Sequence, residues 1–287
     1  MVNHHQTHSV QKSLEFKERG NKCFQTGNFK DAEAFYTESI KYDPNNPVLY
    51  TNRSMALLKL SLFNRVISDA EHAISLLPQN MKAYFQLAQA QLALDSSFDA
   101  LLSAEKAHKL CLHEIQVGGK GGSSIGPITE LVLRCKKINW ERKECEKEKK
   151  RCKLLAEVIS GLEGSRDREM DQLRSLGEDE STIKDVHEKY DSMVEETRKI
   201  WASATGERKR EVPEWCVDNI TFSVMLDPVV TKTGQSYDRS SIMEHLKRSK
   251  TDPLTREPLR LEDLRPNLAL RSACEEFLEE NGWAVDW

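Results

Sequence analysis

The chain has 287 residues, of which 38% are hydrophobic and 31% charged, which fits two or three globular domains. A net charge of -4 argues against a general nucleic-acid binder, and no uncharged apolar run approaches the roughly 18 residues of a membrane-spanning helix. Seven cysteines without a CxxC pair argue against a disulfide framework or a zinc ribbon. We therefore expect a soluble protein without metal or cofactor, located in the cytoplasm or also the nucleus.

Residues 1–12 are polar, and we expect them to be disordered. From residue 13 the sequence repeats every 34 residues, in copies at 13–46, 47–80 and 81–114. An aromatic residue recurs at the fourth position, and small residues recur at the eighth, twentieth and twenty-seventh. These residues are Phe16, Tyr50 and Tyr84; Gly20, Ser54 and Ala88; Ala32, Val66 and Ala100; and Ser39, Ala73 and Ala107.

The repeat predicts three helix pairs that stack into an α-solenoid. Small residues let the two helices of a pair approach closely, and Pro44 and Pro78 stop the second helix of the first two copies. The pattern resembles the tetratricopeptide repeat (TPR), a helix-turn-helix unit of this period. A generic helical bundle is the alternative, but it would not keep one period through three copies.

Polar residues of the first helix in each pair are predicted to line the concave face of the solenoid. Lys17 and Asn21 are four residues apart and share one helical face. Asn52 is the sixth residue of the second copy, while Lys82 and Gln86 are the second and sixth of the third copy. Two ammonium groups and two or three amides in one groove suit a ligand with two close carboxylates, such as a chain that ends in Asp.

Four of these residues are similar to the carboxylate clamp of TPR proteins that bind the Glu-Glu-Val-Asp tails of heat-shock chaperones. They are Lys17, Asn21, Asn52 and Lys82. The resemblance implies tail binding at this groove, with apolar contact from Phe85 and a further contribution from Gln86. Gln86 stands where some clamp proteins carry arginine. The alternative is that these are ordinary solvated side chains.

The middle of the chain is predicted to be a charged helical hairpin. Residues 118–127 are rich in glycine and serine and predict a loop that ends a TPR domain at 13–127. Residues 128–206 are helical in pattern with a turn at 177–180, and Ser181 or Thr182 is the expected cap of the second helix. That helix carries a narrow apolar stripe, which predicts a coiled-coil seam. Its members are Ile183, Val186, Tyr190, Met193, Thr197 and Ile200.

A helix with one apolar stripe needs a partner. The partner of the second hairpin helix is either the preceding helix or a second copy of the chain. We therefore expect the region 128–206 to dimerise the protein.

Residues 207–287 follow a charged linker and carry a third pattern. Strand-like residues on both sides of Gly234 predict a hairpin, Asp238 or Ser240 can cap a helix, and a last helix begins after Asn267. The motifs are Ile220-x-Phe222, Met225-x-Asp227-Pro228-Val229, Gly234-x-x-Tyr237-Asp238-Arg239, Asp252-Pro253-x-Thr255 and Leu264-x-Pro266-Asn267-x-Ala269. They resemble the U-box, a small α+β domain that shares the RING finger fold but binds no zinc.

The composition of this region agrees with a fold that binds no zinc. A RING needs two sets of four Cys or His ligands, whereas residues 213–287 contain only Cys216, His245 and Cys274. The two long loops must then be held by hydrogen bonds and ion pairs. Candidates for these interactions are Asp227, Asp238, Arg239, Asp252 and Arg256.

The U-box resemblance implies a ubiquitin ligase that orients a ubiquitin-charged conjugating enzyme without a covalent intermediate. Ile220 and Phe222 match the docking residues of the first loop, and Pro253 matches that of the second. The resemblance further implies that Arg256 hydrogen-bonds toward the bound ubiquitin. We expect strand spacing to send Ile220 and Phe222 to one face, with core burial as the alternative. Neither cysteine of the region has a visible activating base, which argues against a nucleophilic cysteine.

The order of TPR domain, helical hairpin and U-box resembles the CHIP family of chaperone-associated ubiquitin ligases over nearly the whole chain. The resemblance implies four kinds of partner: heat-shock chaperones of the seventy- and ninety-kilodalton classes, a conjugating enzyme, misfolded clients and a second copy of the chain. The resemblance implies neither a nucleic acid nor a membrane as a partner. A tail-binding adaptor with a purely structural U-box is the main alternative, and a nuclear scaffold that binds unrelated peptides is a third.

Overall fold

The computed structural model describes residues 4–117, 120–205 and 210–287. The chain is mainly α-helical, as predicted, with a small strand-containing region near its end. The helices are α1 (His4–Gln25), α2 (Phe29–Tyr42), α3 (Pro47–Lys59), α4 (Phe63–Leu76), α5 (Met81–Ala93), α6 (Ser97–Gln116), α7 (Ile125–Leu176), α8 (Glu180–Thr205), α9 (Arg239–Arg248) and α10 (Leu268–Glu280). The strands are β1 (Pro228–Val230), β2 (Ser236–Asp238) and β3 (Arg265–Pro266). None of the helices in the described ranges has the length and apolarity needed to span a bilayer.

Helices α1 to α6 form the three predicted helix pairs of the solenoid. The small residues of the repeat are buried where the helices meet: Ala32, Val66, Ala100, Ser39, Ala73, Ala107, Ser54 and Ala88 have no exposed surface. Gly20 shows why the eighth position must be small, because a Cβ atom there would lie 2.6 Å from Cε1 of Tyr36. The predicted TPR solenoid is confirmed.

The structure differs from the sequence predictions at both ends of this solenoid. Helix α1 begins at His4, so the predicted disorder of residues 1–12 is wrong for the described part, while 1–3 lie outside the described residues. The predicted loop at 118–127 gives way to a 3-10 turn at Lys120–Ser123 and to the start of α7 at Ile125. Residues 118 and 119 lie outside the described ranges.

The first four turns of α7 complete the solenoid core. Ile125 and Ile128 are buried with Ala107 and Cys111 of α6, and Val132 is buried farther along α7. The apolar residues of α7 therefore continue the packing of the repeats. A boundary between solenoid and hairpin at residue 127 does not describe this packing, since the compact unit reaches Trp140.

Residues Glu141–Val212 form a separate compact unit that holds the rest of α7 together with α8. A turn joins the two helices at Gly177, whose φ is 76°. The predicted caps Ser181 and Thr182 are wrong, because Asp179 is the acceptor: its Oδ1 receives hydrogen bonds from the backbone N and the hydroxyl of Thr182. These hydrogen bonds lower the pKa of Asp179.

The apolar stripe of α8 is only partly covered. Tyr190 donates a hydrogen bond from its hydroxyl to Glu169 of α7 at 2.9 Å and is half-buried, whereas Met193 and Ile200 are exposed. No described residue of α8 is buried. The stripe therefore contacts α7 only in part, and some of its apolar surface is exposed to solvent.

The carboxy-terminal region contains the predicted hairpin, in which β1 and β2 pair antiparallel with Val229 opposite Tyr237. Gly234 lies in the turn with φ of 82°. Strand β3, which the sequence did not reveal, pairs with β1 to complete a sheet of order β2-β1-β3. The core of this domain consists of Val229, Tyr237, Ile242, Leu259 and Leu264.

This carboxy-terminal domain packs on the solenoid, and the two belong to one compact unit. Leu226 is buried in the same cluster as Leu131 and Val132 of α7. The indole N–H of Trp140 donates to the carbonyl of Glu280 at 2.9 Å. An ion pair between Lys137 and Asp286 lies beside it. No pattern in the sequence predicted this contact.

Candidate functional site

The concave face of the solenoid holds a groove of about 400 Å³. Residues from α1, α2, α3, α5 and the start of α7 line it, together with the 3-10 turn before α7. They are Asn21, Phe24, Gln25, Tyr36, Thr51, Asn52, Met55, Met81, Lys82, Phe85, Gln86, Ser123, Ser124 and Pro127. The structure thus brings five of the six predicted tail-binding residues together, and Lys17 precedes Asn21 by one turn of α1.

A hydrogen-bond chain fixes the amide of Asn21. Its Oδ1 accepts from the hydroxyl of Tyr36 at 2.9 Å and from Nδ2 of Asn52 at 3.4 Å. Since the oxygen is occupied by two donors, the amide N–H groups of Asn21 remain to serve a ligand. Burial raises the pKa of Tyr36 to about 12, and a nearby Cys23 adds to the rise, so the hydroxyl stays protonated and keeps donating.

Sequence reasoning missed Tyr36 as a residue of this groove. Tyr36 occupies the twenty-fourth position of the repeat, where the other copies carry Ala70 and Ala104. Only the first copy carries tyrosine where the other two carry alanine, and this difference could have indicated a role for Tyr36 beyond packing.

Lys82 brings a positive charge to the groove, and Lys17 lies one turn of α1 before the groove residue Asn21. Lys82 is exposed and lines the cavity, and Lys17 is half-buried. Within residues 4–117, 120–205 and 210–287, neither ammonium group lies within ion-pair distance of a carboxylate, although pairs such as Arg53–Asp69 form nearby on the same solenoid. No carboxylate in the described part of the chain therefore neutralises these two cations.

Gln86 and Phe85 have different roles at the bottom of the groove. Gln86 is 1% exposed, and its Nε2 donates to the backbone carbonyl of Thr51 at 3.0 Å. The amide of Gln86 therefore links α5 to α3 beneath the groove and presents little surface to a ligand. Phe85 is half-buried and lines the cavity with Met55 and Met81, which gives the groove an apolar wall.

The first long loop of the carboxy-terminal domain presents Phe222 to solvent. Residues Ile220 and Phe222 lie in a turn and not in a strand, so the predicted strand spacing is wrong. Ile220 packs against the core of the domain, while Phe222 is 68% exposed. The backbone of Phe222 has φ of 59°, a left-handed conformation that side chains other than glycine rarely adopt.

The second long loop presents Leu254 and Arg256. Leu254 is 56% exposed, Arg256 is exposed and Pro253 is half-buried. Arg256 is also left-handed, with φ of 61°. Leu254 was not predicted as a docking residue, although it occupies the variable place in the Asp252-Pro253-x-Thr255 motif.

Both loops are anchored to the sheet by buried carboxylates. Asp227 pairs with Nε of Arg239 at 2.6 Å and with Arg271 at 3.4 Å. Asp238 accepts from the backbone N of Leu226 and Asp227 and caps α9 through Ser240. These are interactions that the sequence predicted for Asp227, Asp238 and Arg239.

Asp252 carries the densest of these networks. Burial alone would raise the pKa of this carboxyl, but hydrogen bonds from Thr255, Tyr237, Leu254 and Thr233 outweigh it and lower the pKa. The predicted partner Arg256 takes no part in the carboxylate network and faces solvent instead.

The two cysteines of this domain are buried. Burial raises the pKa of Cys216 and raises that of Cys274 to about 12. Both thiols are therefore protonated at neutral pH and are poor nucleophiles. Among the described residues, no three His, Cys, Asp or Glu side chains cluster closely enough to hold a metal ion.

Comparison with known proteins gives one family and several relatives. The U-box domain family matches residues 212–283. The E3 ubiquitin-protein ligase CHIP of Arabidopsis thaliana is 29% identical over 272 residues, which cover 93% of this chain and 94% of that protein. The Hsp70-Hsp90 organizing protein of Triticum aestivum is 35% identical over 108 residues, which cover 38% of this chain and 18% of that protein.

Two solved structures resemble parts of the chain. The first TPR of Spaghetti (RPAP3) bound to the HSP90 peptide SRMEEVD has a TM-score of 0.36 and 32% identity, and covers 42% of this chain and 92% of that one. The complex of the TPR2B domain of yeast Sti1 with pHsp70 has a TM-score of 0.40 and 31% identity, and covers 44% of this chain and 96% of that one. The similarity to the Arabidopsis protein spans both the solenoid and the carboxy-terminal domain.

Proposed function

We propose that this chain, which combines a TPR solenoid with a U-box and is similar to the CHIP ligase of Arabidopsis thaliana, is a ubiquitin ligase and co-chaperone. Its groove binds the acidic carboxy-terminal tails of heat-shock chaperones of the seventy- and ninety-kilodalton classes. Its U-box docks a ubiquitin-charged conjugating enzyme. Misfolded clients held by the chaperone are then modified with ubiquitin and marked for degradation. Such a protein works in the cytoplasm or also the nucleus.

One observation carries the tail-binding half of the proposal: Lys17 and Lys82, which pair with no carboxylate among the described residues, lie beside a preorganised set of amides. A peptide that ends in Asp offers a terminal and a side-chain carboxylate, and charge-assisted hydrogen bonds to them contribute about 1.5–3 kcal/mol each. The Tyr36 hydroxyl already orients Asn21, and Asn52 donates to the same Asn21 oxygen, so little side-chain entropy is lost on binding. Phe85 and the methionines beside it supply apolar surface for the residues before the terminus.

The ligase half of the proposal rests on the exposed apolar residues of the two U-box loops. Phe222 and Leu254 are large apolar side chains that are mostly exposed, 68% and 56% respectively. Exposed apolar side chains on rigid loops are a common feature of protein docking surfaces. We assign conjugating-enzyme docking to Ile220, Phe222 and Pro253, and contact with the bound ubiquitin to Arg256.

The proposed mechanism needs no covalent intermediate. The U-box holds the thioester of the charged conjugating enzyme in a reactive pose. Ubiquitin transfer is then accelerated by proximity and orientation. The buried, protonated thiols of Cys216 and Cys274 support this assignment, because a ubiquitin thioester on the ligase would need a reachable thiolate.

The helical hairpin is proposed to join two copies of the chain. Its exposed apolar residues lie on both helices: Leu154 and Val158 on α7, and Met193 and Ile200 on α8. A second copy that presents the same stripe would cover them and complete the coiled coil. The protein would then act as a homodimer with two grooves and two U-boxes.

Reconstituted ubiquitination tests the proposal against its main alternative. The purified full-length protein is incubated with activating enzyme, ubiquitin, ATP and each of a panel of conjugating enzymes. We expect ubiquitin chains on the protein itself with at least one of them. If no conjugating enzyme supports chain formation while chaperone tails still bind, the protein is a non-catalytic adaptor with a structural U-box.

A further inference from the structure

The two U-box docking loops are built on the same five-residue pattern. The first reads Asp218-Asn219-Ile220-Thr221-Phe222 and the second reads Asp252-Pro253-Leu254-Thr255-Arg256. Each begins with a buried aspartate, which is 0% exposed in the first loop and 2% exposed in the second. Each ends on a residue that faces solvent.

The backbone hydrogen bonds of the two loops also match one for one. The N–H of Asp218 donates to Ser223 at 2.8 Å, and the N–H of Phe222 donates back to the carbonyl of Asp218 at 2.8 Å. In the second loop the N–H of Asp252 donates to Glu257 at 2.8 Å, and the N–H of Arg256 donates to the carbonyl of Asp252 at 2.9 Å. Each aspartate therefore closes its own loop at both ends.

The carboxylate inside each loop accepts from the threonine three residues later. The backbone N–H of Thr221 lies 3.0 Å from Asp218 and that of Thr255 lies 3.1 Å from Asp252. The first carboxylate also accepts from the Thr221 hydroxyl at 2.8 Å and from the backbone of Asp238 at 3.0 Å.

The second carboxylate has its own additional donors. The Tyr237 hydroxyl lies 2.8 Å from Asp252, the Leu254 N–H lies 2.9 Å away and the Thr233 hydroxyl lies 3.2 Å away. The two networks are separate, because no donor is shared between the carboxylates of Asp218 and Asp252.

Both patterns end on a left-handed residue. Phe222 has φ of 59° and Arg256 has φ of 61°, a conformation that is unfavourable for side chains with a Cβ atom and that persists only where the surroundings enforce it. Each loop turns back at its fifth residue. This residue presents an exposed phenyl ring in the first loop and an exposed guanidinium in the second.

We propose that Asp218 and Asp252 are positioning residues that hold Phe222 and Arg256, respectively, in this conformation. The inference rests on the proposed ligase function and assigns a separate task to each loop. The Asp218 network sets how tightly the charged conjugating enzyme docks, because it aims Phe222. The Asp252 network sets how fast docked thioester reacts, because it aims Arg256 at ubiquitin.

Two conservative substitutions separate the networks without opening a cavity. Thr221→Val removes a hydroxyl donor to Asp218 at an exposed position, and Thr221→Ser is its matched control because it keeps that donor. Tyr237→Phe removes the hydroxyl donor to Asp252 and keeps the ring in the core. Tyr50→Phe is the control for loss of a tyrosine hydroxyl, since that hydroxyl binds Pro44 in the solenoid.

The first readout is amide hydrogen exchange in the full-length protein, which does not depend on ligase activity. Thr221→Val should speed exchange at the Phe222 amide by about three- to tenfold and leave the Arg256 amide within twofold. Tyr237→Phe should speed exchange at the Arg256 amide by a similar factor and leave the Phe222 amide within twofold. Equal acceleration at both amides in either variant, or none at either, would overturn the assignment of one network to each loop.

The second readout is single-turnover discharge of a ubiquitin-charged conjugating enzyme to free lysine, with increasing ligase concentration. Thr221→Val should raise the half-saturating concentration about three- to tenfold with an unchanged maximal rate, and Thr221→Ser should behave as wild type. Tyr237→Phe should lower the maximal rate by a similar factor. A fall in maximal rate in both variants with no change in half-saturation would mean a general structural loss and would refute the inference. Wild-type protein that fails to accelerate discharge would refute the proposed function itself, whereas the exchange result still decides whether each network holds its loop.

Discussion

The TPR groove and the U-box loops present their exposed residues by different physical means. In the groove, Lys17, Asn21 and Lys82 stand on helices whose spacing is set by fully buried small residues. In the U-box, Phe222 and Arg256 stand on irregular loops whose shape is set by hydrogen bonds to buried carboxylates. The groove therefore depends on packing and the loops depend on polar networks. Substitutions at exposed residues should alter binding in both regions. Substitutions at buried residues should act through packing in the groove and through hydrogen bonds in the U-box loops.

The largest expected effect is on tail binding. Lys17→Ala or Lys82→Ala should weaken binding of a Glu-Glu-Val-Asp peptide by about ten- to a hundredfold, because each removes a charge-assisted contact to a carboxylate. Calorimetry with the purified protein measures the change. Lys59→Ala, which removes an exposed lysine that does not line this groove, is the control. Unchanged affinity in both groove variants would remove the clamp assignment.

A comparable change in the U-box should weaken docking of the conjugating enzyme and leave folding intact. Phe222→Ala truncates a side chain that is 68% exposed, so we expect about ten- to thirtyfold slower ubiquitin chain formation, as for a central interface residue. The melting temperature should stay within about 2 °C, since little buried surface is lost. Leu62→Ala, at an exposed leucine of the solenoid, serves as the control. A Phe222→Ala protein with full activity would show that the first loop does not dock the conjugating enzyme.

Packing in the groove can be tested at Gly20. A Cβ atom at this position would lie 2.6 Å from the Tyr36 ring, so Gly20→Ala must displace the tyrosine that orients Asn21. We expect tail affinity to fall about threefold to tenfold and the protein to lose about 1–3 kcal/mol of stability from overpacking. Gly27→Ala is not a suitable control because its φ is positive, whereas Gly126→Ala, where a Cβ atom meets nothing, is suitable. Normal affinity in Gly20→Ala would show that Tyr36 does not position the groove.

A smaller effect is expected from pH at the contact between solenoid and U-box. Burial lowers the pKa of His108; Asp227 and Asp238 oppose the shift, and Arg239 and Arg271 add to it. The unfolded chain therefore binds this proton more readily, so the contribution of His108 to stability is complete above about pH 6.5 and is lost as pH falls below that value.

Thermal unfolding between pH 7.5 and 5.5 measures this loss. Wild type should lose more stability on acidification than His108→Gln, in which the titrating group is absent. Equal pH dependence of the two proteins would show that the imidazole titrates normally and is not held neutral by burial.

Much of the groove could be predicted because its determinants are local and periodic. The 34-residue frame places Ala32, Val66 and Ala100 between helices, and the same frame puts Lys17, Asn21, Asn52 and Lys82 on one face. Tyr36 escaped prediction because its hydroxyl acts through a partner on another helix. Gln86 was assigned to tail binding from its place in the frame, yet it lies below the surface and binds Thr51.

The U-box motifs predicted the hairpin, a helix cap at Asp238 or Ser240 and a docking role for Phe222, but not the geometry of the loops. The role of Asp218 depends on a backbone donor twenty residues away at Asp238. Such a contact produces no periodic pattern from which it could be predicted. The packing of Trp140 on the carbonyl of Glu280 spans 140 residues and was invisible for the same reason. The start of α7 was misjudged because glycines near 120 outweighed the buried apolar residues that follow them.

The central claim is that the groove brings a client to the U-box. Its most direct test is reconstituted ubiquitination of an unfolded client bound to a heat-shock chaperone, with wild type, Lys17→Ala and Phe222→Ala compared at equal concentration. We expect Lys17→Ala to ubiquitinate itself normally but to modify the client at least about tenfold more slowly. Phe222→Ala should be slowed about ten- to thirtyfold in both reactions. Client modification by Lys17→Ala at the wild-type rate would contradict the claim, because the U-box would then reach the client without the chaperone tail.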